Sequence, residues 1–373
     1  MKTILHVSKY YYPDLGGIET LVKSLAEGLT EFRNIIVCFA TDGMTQKETV
    51  NGITVHRIKV NFSFMNQDVA FSYYKVLKSL MKEYDPQFVH VHCPNPYVYP
   101  FVLRTMPEKA KLILHWHSDI ISKGIMYYVV KPLESAALKR ADIILATSPN
   151  YIHPSSPIYR YKDKIRIVPN GVIAADFNLQ EGDAQRMEAI KKKHENKPIV
   201  LFVGRHIPYK GIDLLLEAEK YIQSDCHLVI TGTGPLTERL KKKSQSPRVF
   251  FTGRLSVCDL RSYAHAAKIF AFPSNTKAEA FGLALAEAMY CRCVPIVFHL
   301  EGSGVNYVSV KDLTGMEVPL GDVKAFAKAV DTILSDDELR ERYAEASHER
   351  VATMFTDEMA VKKMNEVYHE LLT

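Results

Sequence analysis

The sequence predicts two doubly wound α/β domains in tandem. Three observations carry this. Short β-rich runs alternate with helical patterns, the same alternation restarts after a polar stretch, and 373 residues suit about two domains of ordinary size. In the first half the strand candidates are TILHVS, IIVCFA, ITVHRIK, FVHVHC, KLILHW, DIILAT and KIRIVP. Between the first two, Ile18, Leu21, Val22, Leu25, Ala26 and Leu29 recur at helical spacing. The second half repeats the style with PIVLFVG, CHLVITG, RVFFTG, KIFAFPS and VPIVF. Strand–helix alternation of this kind makes parallel sheets with right-handed crossovers. Residues 176–197, DFNLQEGDAQRMEAIKKKHENK, are polar, lack strand character, and are the expected connection between domains. The boundaries are thus a first domain over 1–175, a second over 176–355, and a closing helix over 356–373. From 321 onward the pattern is helical only. A ligand cleft is expected between the two domains.

Composition excludes several classes. The chain is 47% hydrophobic and 24% charged, as in ordinary globular proteins. No apolar run reaches the roughly 18–20 residues of a membrane helix, and MKTILHVS lacks a signal-peptide core. A cytoplasmic protein is the expectation. The six cysteines show no CxxC spacing and read as buried free thiols. Charge is uneven: residues 1–175 hold 21 Lys and Arg against 14 Asp and Glu, the remainder 26 against 28. A basic first half suits an anionic partner such as a phosphorylated substrate or a lipid surface, or is simply a solvated basic face. No nucleic-acid motif is present, so no nucleic-acid partner is expected.

Three loops at strand ends carry residues suited to phosphate, which is where open parallel sheets bind ligands. KYYYPDLGGIET places Gly16 and Gly17 directly before a helix, where free N–H groups meet a close-approaching ligand. Gly-Gly is also a common turn. VGRHIPYKG places Arg205 and Lys210 after a strand and Gly211 before the next helix. Two fixed cations there suit the charge that develops on a departing diphosphate, although surface cations without a partner look the same. The third loop lies in FPSNTKAEAFGLALAEAMY. Glu279 and Glu287 are too far round a helix to share a face, so Glu279 belongs on the loop and Glu287 within the helix. Gly282 and Leu283 then present N–H groups to phosphate. Glu287, about a turn further in, could accept from the vicinal hydroxyls of a ribose. The plainer alternatives are a helix-start acid favoured by the dipole and a solvated helix face.

Other motifs fail on spacing. TGTGPLT has Gly232 and Gly234 but Thr237 where a dinucleotide fingerprint needs a third glycine. GxxxxGK[ST], HExxH and GxSxG are absent. His115 and His117 in HWHSD could ligate a metal with Asp119, but no further ligand cluster is suitably spaced, and a polar role is expected instead.

Taken together, GG near the start, HWHSD, TSPNY, IVPNG, VGRHIPYKG, GTGPL, FPS and the two glutamates of EAFGLALAE occur in the order found in retaining glycosyltransferases of family 4, and the chain resembles that family over nearly its whole length. In pattern it is most similar to bacterial mannosyl- and rhamnosyl-type transferases of surface-polysaccharide assembly. The resemblance implies the GT-B fold, two Rossmann-like domains facing a cleft, with C-terminal helices packing back towards the first. It implies a nucleoside diphosphate sugar as donor, with no metal cofactor. By position, Gly16 and Gly17 would meet the donor sugar or distal phosphate, and Arg205 and Lys210 the diphosphate. Glu279 would take sugar hydroxyls, Gly282 and Leu283 the phosphates, and Glu287 the ribose. His117 would orient the donor sugar or acceptor, and the backbone at Leu255 and Gly234 would flank the base. PNGVIAAD departs from the pattern, with Ile173 and Ala174 where relatives often carry an acid.

The implied reaction is transfer of a hexosyl group, with mannose from GDP-mannose the best guess, to a glycan or lipid-diphosphate-linked acceptor. A non-hydrolysing sugar-nucleotide epimerase and a non-catalytic nucleotide-sugar-binding protein share the fold and remain alternatives. A glycan phosphorylase would need a cofactor lysine and far greater length. SKGIMYYVVKPLESAALKR (122–140) mixes aromatic, aliphatic and basic residues. It reads either as an internal helix or as a surface helix touching an anionic membrane at the inner face of the cell.

Overall fold

The computed structural model describes every residue except 15, 65, 66 and 121–124, together with the side chains at 125, 126 and 129. The chain forms two compact units, Met1–Asn170 with Asp357–Thr373, and Gly171–Thr356.

The first unit is built on β1 (Thr3–Val7), β2 (Arg33–Ala40), β3 (Gln46–Val50), β4 (Ile53–Lys59), β5 (Phe62–Phe64), β6 (Gln67–Val69), β7 (Phe88–Cys93), β8 (Lys111–Trp116), β9 (Ile143–Ala146) and β10 (Ile165–Ile167). Eight of them form one sheet in the order β10-β9-β8-β7-β1-β2-β4-β3, parallel except for β3 at its edge. β5 and β6 form a separate antiparallel ribbon. The central strands are buried along their length, because helices cover both faces of a parallel sheet. The helix Gly17–Gly28 puts Leu21 and Leu25 on the sheet. The last helix, Asp357–Glu370, adds Met364, Val367 and Tyr368 to the same cluster. The chain therefore ends in the unit where it began.

The second unit has six parallel strands, β11 (Ile199–Val203), β12 (His227–Thr231), β13 (Val249–Gly253), β14 (Ile269–Phe272), β15 (Val294–Phe298) and β16 (Met316–Val318), in the order β13-β12-β11-β14-β15-β16. In both sheets the winding reverses beside a central strand. β1 lies between β2 and β7, and β11 between β12 and β14. Each reversal parts the loops at the carboxyl ends of the two neighbouring strands, which is where such sheets take ligands.

The polar stretch 176–197 is not a free connector. It supplies the helix Asp183–Lys193 to the second unit. Asp183 is buried and accepts from Arg261 Nε at 2.6 Å and Nη2 at 3.1 Å, while Arg261 Nη1 donates to the Asp176 carbonyl at 2.9 Å. This fork holds the Asp183 carboxyl far below the usual carboxylate range, the Arg261 hydrogen bond outweighing burial. The stretch looked like a linker because a paired buried charge and a solvated one are identical in sequence. Of the helix read across 122–140, residues 122–124 lie outside the described residues. The rest, Ile125–Arg140, buries Glu134, Ala137 and Leu138 and exposes Tyr128.

Removing one partner of a buried ion pair leaves an uncompensated charge. Arg261→Met is therefore expected to lower the unfolding free energy by about 3 kcal/mol. Urea denaturation measures it, and a loss well under 1 kcal/mol would show that the second unit stands without the pair.

Candidate active site

In the second unit, the expected residues sit on four loops at the carboxyl end of the sheet. Arg205 and Lys210 follow β11, Gly234 follows β12, Leu255 follows β13, and Glu279, Gly282, Leu283 and Glu287 follow β14. The chain departs in different directions after β11 and β14, but the first residues of the two loops still meet above the adjacent strand ends. Lys210 forms an ion pair with Glu279, each side chain 12% exposed. Two backbone contacts hold the loops in register. Asn275 N donates to the Tyr209 carbonyl at 2.9 Å. Gly211 packs so closely that an added Cβ would lie 1.9 Å from the Pro273 carbonyl oxygen, and its φ of +67° suits only glycine without strain.

Glu279 is fixed from other sides as well. Ser274 Oγ donates to its Oε2 at 3.1 Å, and Ser303 Oγ donates to its main-chain carbonyl at 2.5 Å. Lys210 Nζ lies 5.2 Å from the Phe272 ring centroid and 5.4 Å from that of Tyr209. Burial disfavours the Lys210 ammonium, but the Glu279 charge, then Tyr209 and the hydrogen bond to Glu279, outweigh it and raise its pKa. Arg205 is exposed and makes no ion pair among the described residues. The arrangement is one fixed cation, one free cation and one oriented carboxylate around the reversal of the sheet. Ser274 and Ser303 escaped the sequence reading. Ser274 ends the strand run directly, a signal that was available, whereas Ser303 lies 24 residues from Glu279 and is joined to it only by folding.

Gly282 starts the helix Leu283–Tyr290 with φ +87°, a left-handed conformation that frees the first N–H groups of the helix from any residue with a bulky Cβ before them. Glu287 lies in the second turn, half-buried. Burial, with a smaller contribution from Asp176, pushes its carboxyl up to about 7. Gly234 N donates to Thr237 Oγ1 at 2.8 Å, so Thr237, the residue that spoiled a dinucleotide fingerprint, caps this turn instead. Leu255 is partly buried against the core.

In the first unit, Gly17 opens the helix Gly17–Gly28 and Gly16 precedes it in extended conformation. The Glu19 carboxylate sits beside Gly16, and burial raises its pKa. His117 follows β8 immediately, its N–H donating to the Cys93 carbonyl at 3.1 Å. Its imidazole ends a row of five buried histidines, His6, His90, His92, His115 and His117, that crosses β1, β7 and β8. Burial lowers the pKa of all five, His117 to about 3 and His6 to about 4. The row was invisible as a set in sequence, because its members lie on three strands and just beyond the last of them.

Asp119, expected beside His115 and His117 in any metal reading, is engaged elsewhere: Trp116 Nε1 and Ser156 Oγ each donate to its Oδ1 at 2.9 Å. Two trios, His6 with His90 and His92, and His92 with His115 and His117, instead bring ligand atoms within 4.8 Å of one another and could hold an ion. Most of their ring nitrogens are already hydrogen-bonded to each other, to Asn34 or to Tyr368, so an ion would have to break these bonds. All six cysteines are free. Among the described residues no helix is long and apolar enough to cross a membrane.

Comparison with known proteins places this architecture. Residues 15–175 match the model of Glycosyltransferase Family 4, and residues 183–350 that of Glycosyl transferases group 1. The chain is similar to O-antigen chain mannosyltransferase C of Escherichia coli, at 29% identity over 99% of this chain and 98% of that one. It is 31% identical to alpha-D-kanosaminyltransferase of Streptomyces kanamyceticus over 76% of this chain and 77% of that one. In fold it resembles the crystal structure of Anabaena Alr3699/HepE in complex with UDP-glucose, with a TM-score of 0.78 at 16% identity, covering 99% of this chain and 100% of that one.

A raised carboxyl pKa has a definite sign. The folded state holds the Glu287 proton more tightly than the unfolded chain, so this group's contribution is full below about pH 4.5 and is lost as pH rises through about 7. Glu287→Gln should therefore gain stability on wild type over that window, by about 2 kcal/mol after allowance for partial exposure. Chemical denaturation of both proteins at pH 4.5 and pH 8 measures it, and a pH-independent difference would contradict the shift.

Proposed function

The chain belongs to the glycosyltransferases that join a family 4 domain to a group 1 domain in a GT-B fold, and from that premise we propose a retaining mannosyltransferase of cell-surface polysaccharide assembly. It is a hexosyltransferase. The proposed donor is a nucleoside diphosphate sugar, GDP-mannose first, and the acceptor a glycan or lipid-diphosphate-linked oligosaccharide. The observation that carries the reading is the Lys210–Glu279 pair at the reversal of the second sheet, with exposed Arg205 on the same loop as Lys210 and the helix start at Gly282 following Glu279. The likeness to an O-antigen mannosyltransferase along nearly the whole of both chains supports the choice of sugar.

In this reading Lys210 and Arg205 take the diphosphate, and their charge stabilises it as it leaves. A comparable contact is worth about 3–4 kcal/mol of barrier. Glu279 takes sugar hydroxyls, and its pairing with Lys210 sets the sugar next to the diphosphate. Gly282 and Leu283 offer main-chain N–H groups to phosphate, and Glu287 accepts from the ribose. Gly234 and Leu255 flank the base. Gly16 and Gly17 contribute from the first unit, and His117 orients a sugar or acceptor hydroxyl. No residue need act as a nucleophile, because an oxygen of the departing β-phosphate can take the proton of the incoming hydroxyl on the same face. Two cations here do the work that a metal does elsewhere. The enzyme would act in the cytoplasm, its basic first half touching the anionic inner face of the cell membrane.

Lys210→Ala and Arg205→Ala are each expected to lower kcat about a hundredfold or more in a transfer assay that separates product from epimerised donor. Activity near wild type in both would remove the diphosphate assignment. Glu287→Ala should raise the donor KM more than it lowers kcat. In a thermal-shift series GDP should stabilise more than UDP or dTDP, by RT ln(1 + [L]/Kd). A larger shift with UDP would reassign the donor.

A further inference from the structure

We infer that Asn34, acting through His6 and His92, fixes the proton of His117 on Nε2 and leaves Nδ1 as a bare hydrogen-bond acceptor, so that His117 receives a hydroxyl and not a phosphate. The inference rests on the proposed function for the nature of the substrate, but not for the state of the ring.

The argument starts where the chemistry leaves no choice. Asn34 Nδ2 donates to the carbonyls of Leu29 at 3.0 Å and Phe32 at 3.3 Å. Two acceptors on that side fix the amide, so Oδ1 faces His6 Nε2 at 3.1 Å. An amide oxygen only accepts, and His6 Nε2 therefore carries a hydrogen. A buried neutral imidazole has one N–H, which leaves His6 Nδ1 bare. His92 Nε2 lies 3.3 Å from it and must donate. His92 Nδ1 is then bare, and His117 Nε2, 3.1 Å away, donates in turn. The last free position is His117 Nδ1, a lone pair. It is buried and has no partner among the described residues.

Any other proton arrangement sets two lone pairs or two hydrogens face to face at one of these contacts. A cation in the row would stand within a stack of other imidazoles with no carboxylate bonded to them, and burial opposes it. A second chain, Tyr368 to His90 to His115, ends at His115 Nε2 and makes no hydrogen bond to the first. The direction along the first chain is thus set by Asn34 alone, at the opposite edge of the row from His117. An unpartnered buried acceptor is costly, and a substrate hydroxyl relieves that cost where an anionic oxygen does not. Asn34, His6 and His92 are positioning residues in this scheme.

The test is the tautomer itself. In ¹⁵N-histidine-labelled full-length protein at pH 7, two-bond ¹⁵N–¹H correlations report which ring nitrogen is protonated, with His117 assigned by the loss of its signals in His117→Gln. The expected result is a protonated Nε2 and a bare Nδ1 in the wild type, and a mixture of both tautomers in Asn34→Leu. A wild-type His117 protonated on Nδ1, or an imidazolium, overturns the inference, as does Asn34→Leu with the wild-type tautomer. If Asn34→Leu does not fold, His6→Phe breaks the same chain and is read the same way. GDP-mannose should shift the His117 Nδ1 resonance towards the hydrogen-bonded position where GDP alone does not. An equal shift with GDP would reject the hydroxyl assignment. Absence of sugar transfer with the Nε2–H tautomer intact would sink the proposed function and leave the relay standing.

Discussion

The second unit is organised around the approach of two loops at the reversal of a parallel sheet. β11 and β14 are adjacent, and the segments leaving them touch before they diverge, at Gly211 against Pro273 and at Asn275 against Tyr209. Only a residue without a Cβ fits at position 211 against Pro273, and only an oppositely charged pair tolerates the burial at Lys210 and Glu279. These two requirements reinforce one another. The backbone contact holds the loops close enough for the ion pair, and the pair compensates two charges that would otherwise be stranded in a half-buried place. Ser274 and Ser303 add the remaining hydrogen bonds, so Glu279 is fixed at both its side chain and its carbonyl. A carboxylate held this way is oriented before any ligand arrives.

The first unit solves a different problem. Parallel strands are buried on both faces, and apolar residues are the ordinary filling. Here β1, β7 and β8 carry four histidines inward instead, and a fifth, His117, follows β8. Their pKa values fall because burial disfavours the cation, so the row stays neutral and its hydrogen bonds become directional. Polar chains of this kind in a low-dielectric interior either close on themselves or end at an exposed demand. This one begins at Asn34, whose amide is locked by two main-chain carbonyls, and ends at the residue that leaves β8.

Much of the fold was legible in the sequence. FVHVHC, KLILHW and VPIVF became β7, β8 and β15 residue for residue, because short runs rich in β-branched, aliphatic and aromatic residues and bounded by turns have few other fates. The strands that escaped notice are those with no such run. QKETV forms β3 at the antiparallel edge, with alternate residues facing solvent, and MEV forms β16 in three residues. The polar stretch after 176 misled for the opposite reason. Its Asp183 is buried, and nothing local reveals that Arg261 will reach it across 78 positions.

The sequence by itself determined the alternation of strand and helix, the positions of glycines before helices, and the separation of Glu279 on a loop from Glu287 within a helix. These follow from local sterics and from periods of 2.0 and 3.6 residues, which act within a few positions. Tertiary structure alone decided which charges meet and which nitrogens are bare. Lys210 and Glu279 are 69 positions apart, and His6 and His92 are 86 apart. Their pairing depends on strand order, which is set by the packing of whole elements and not by any local pattern.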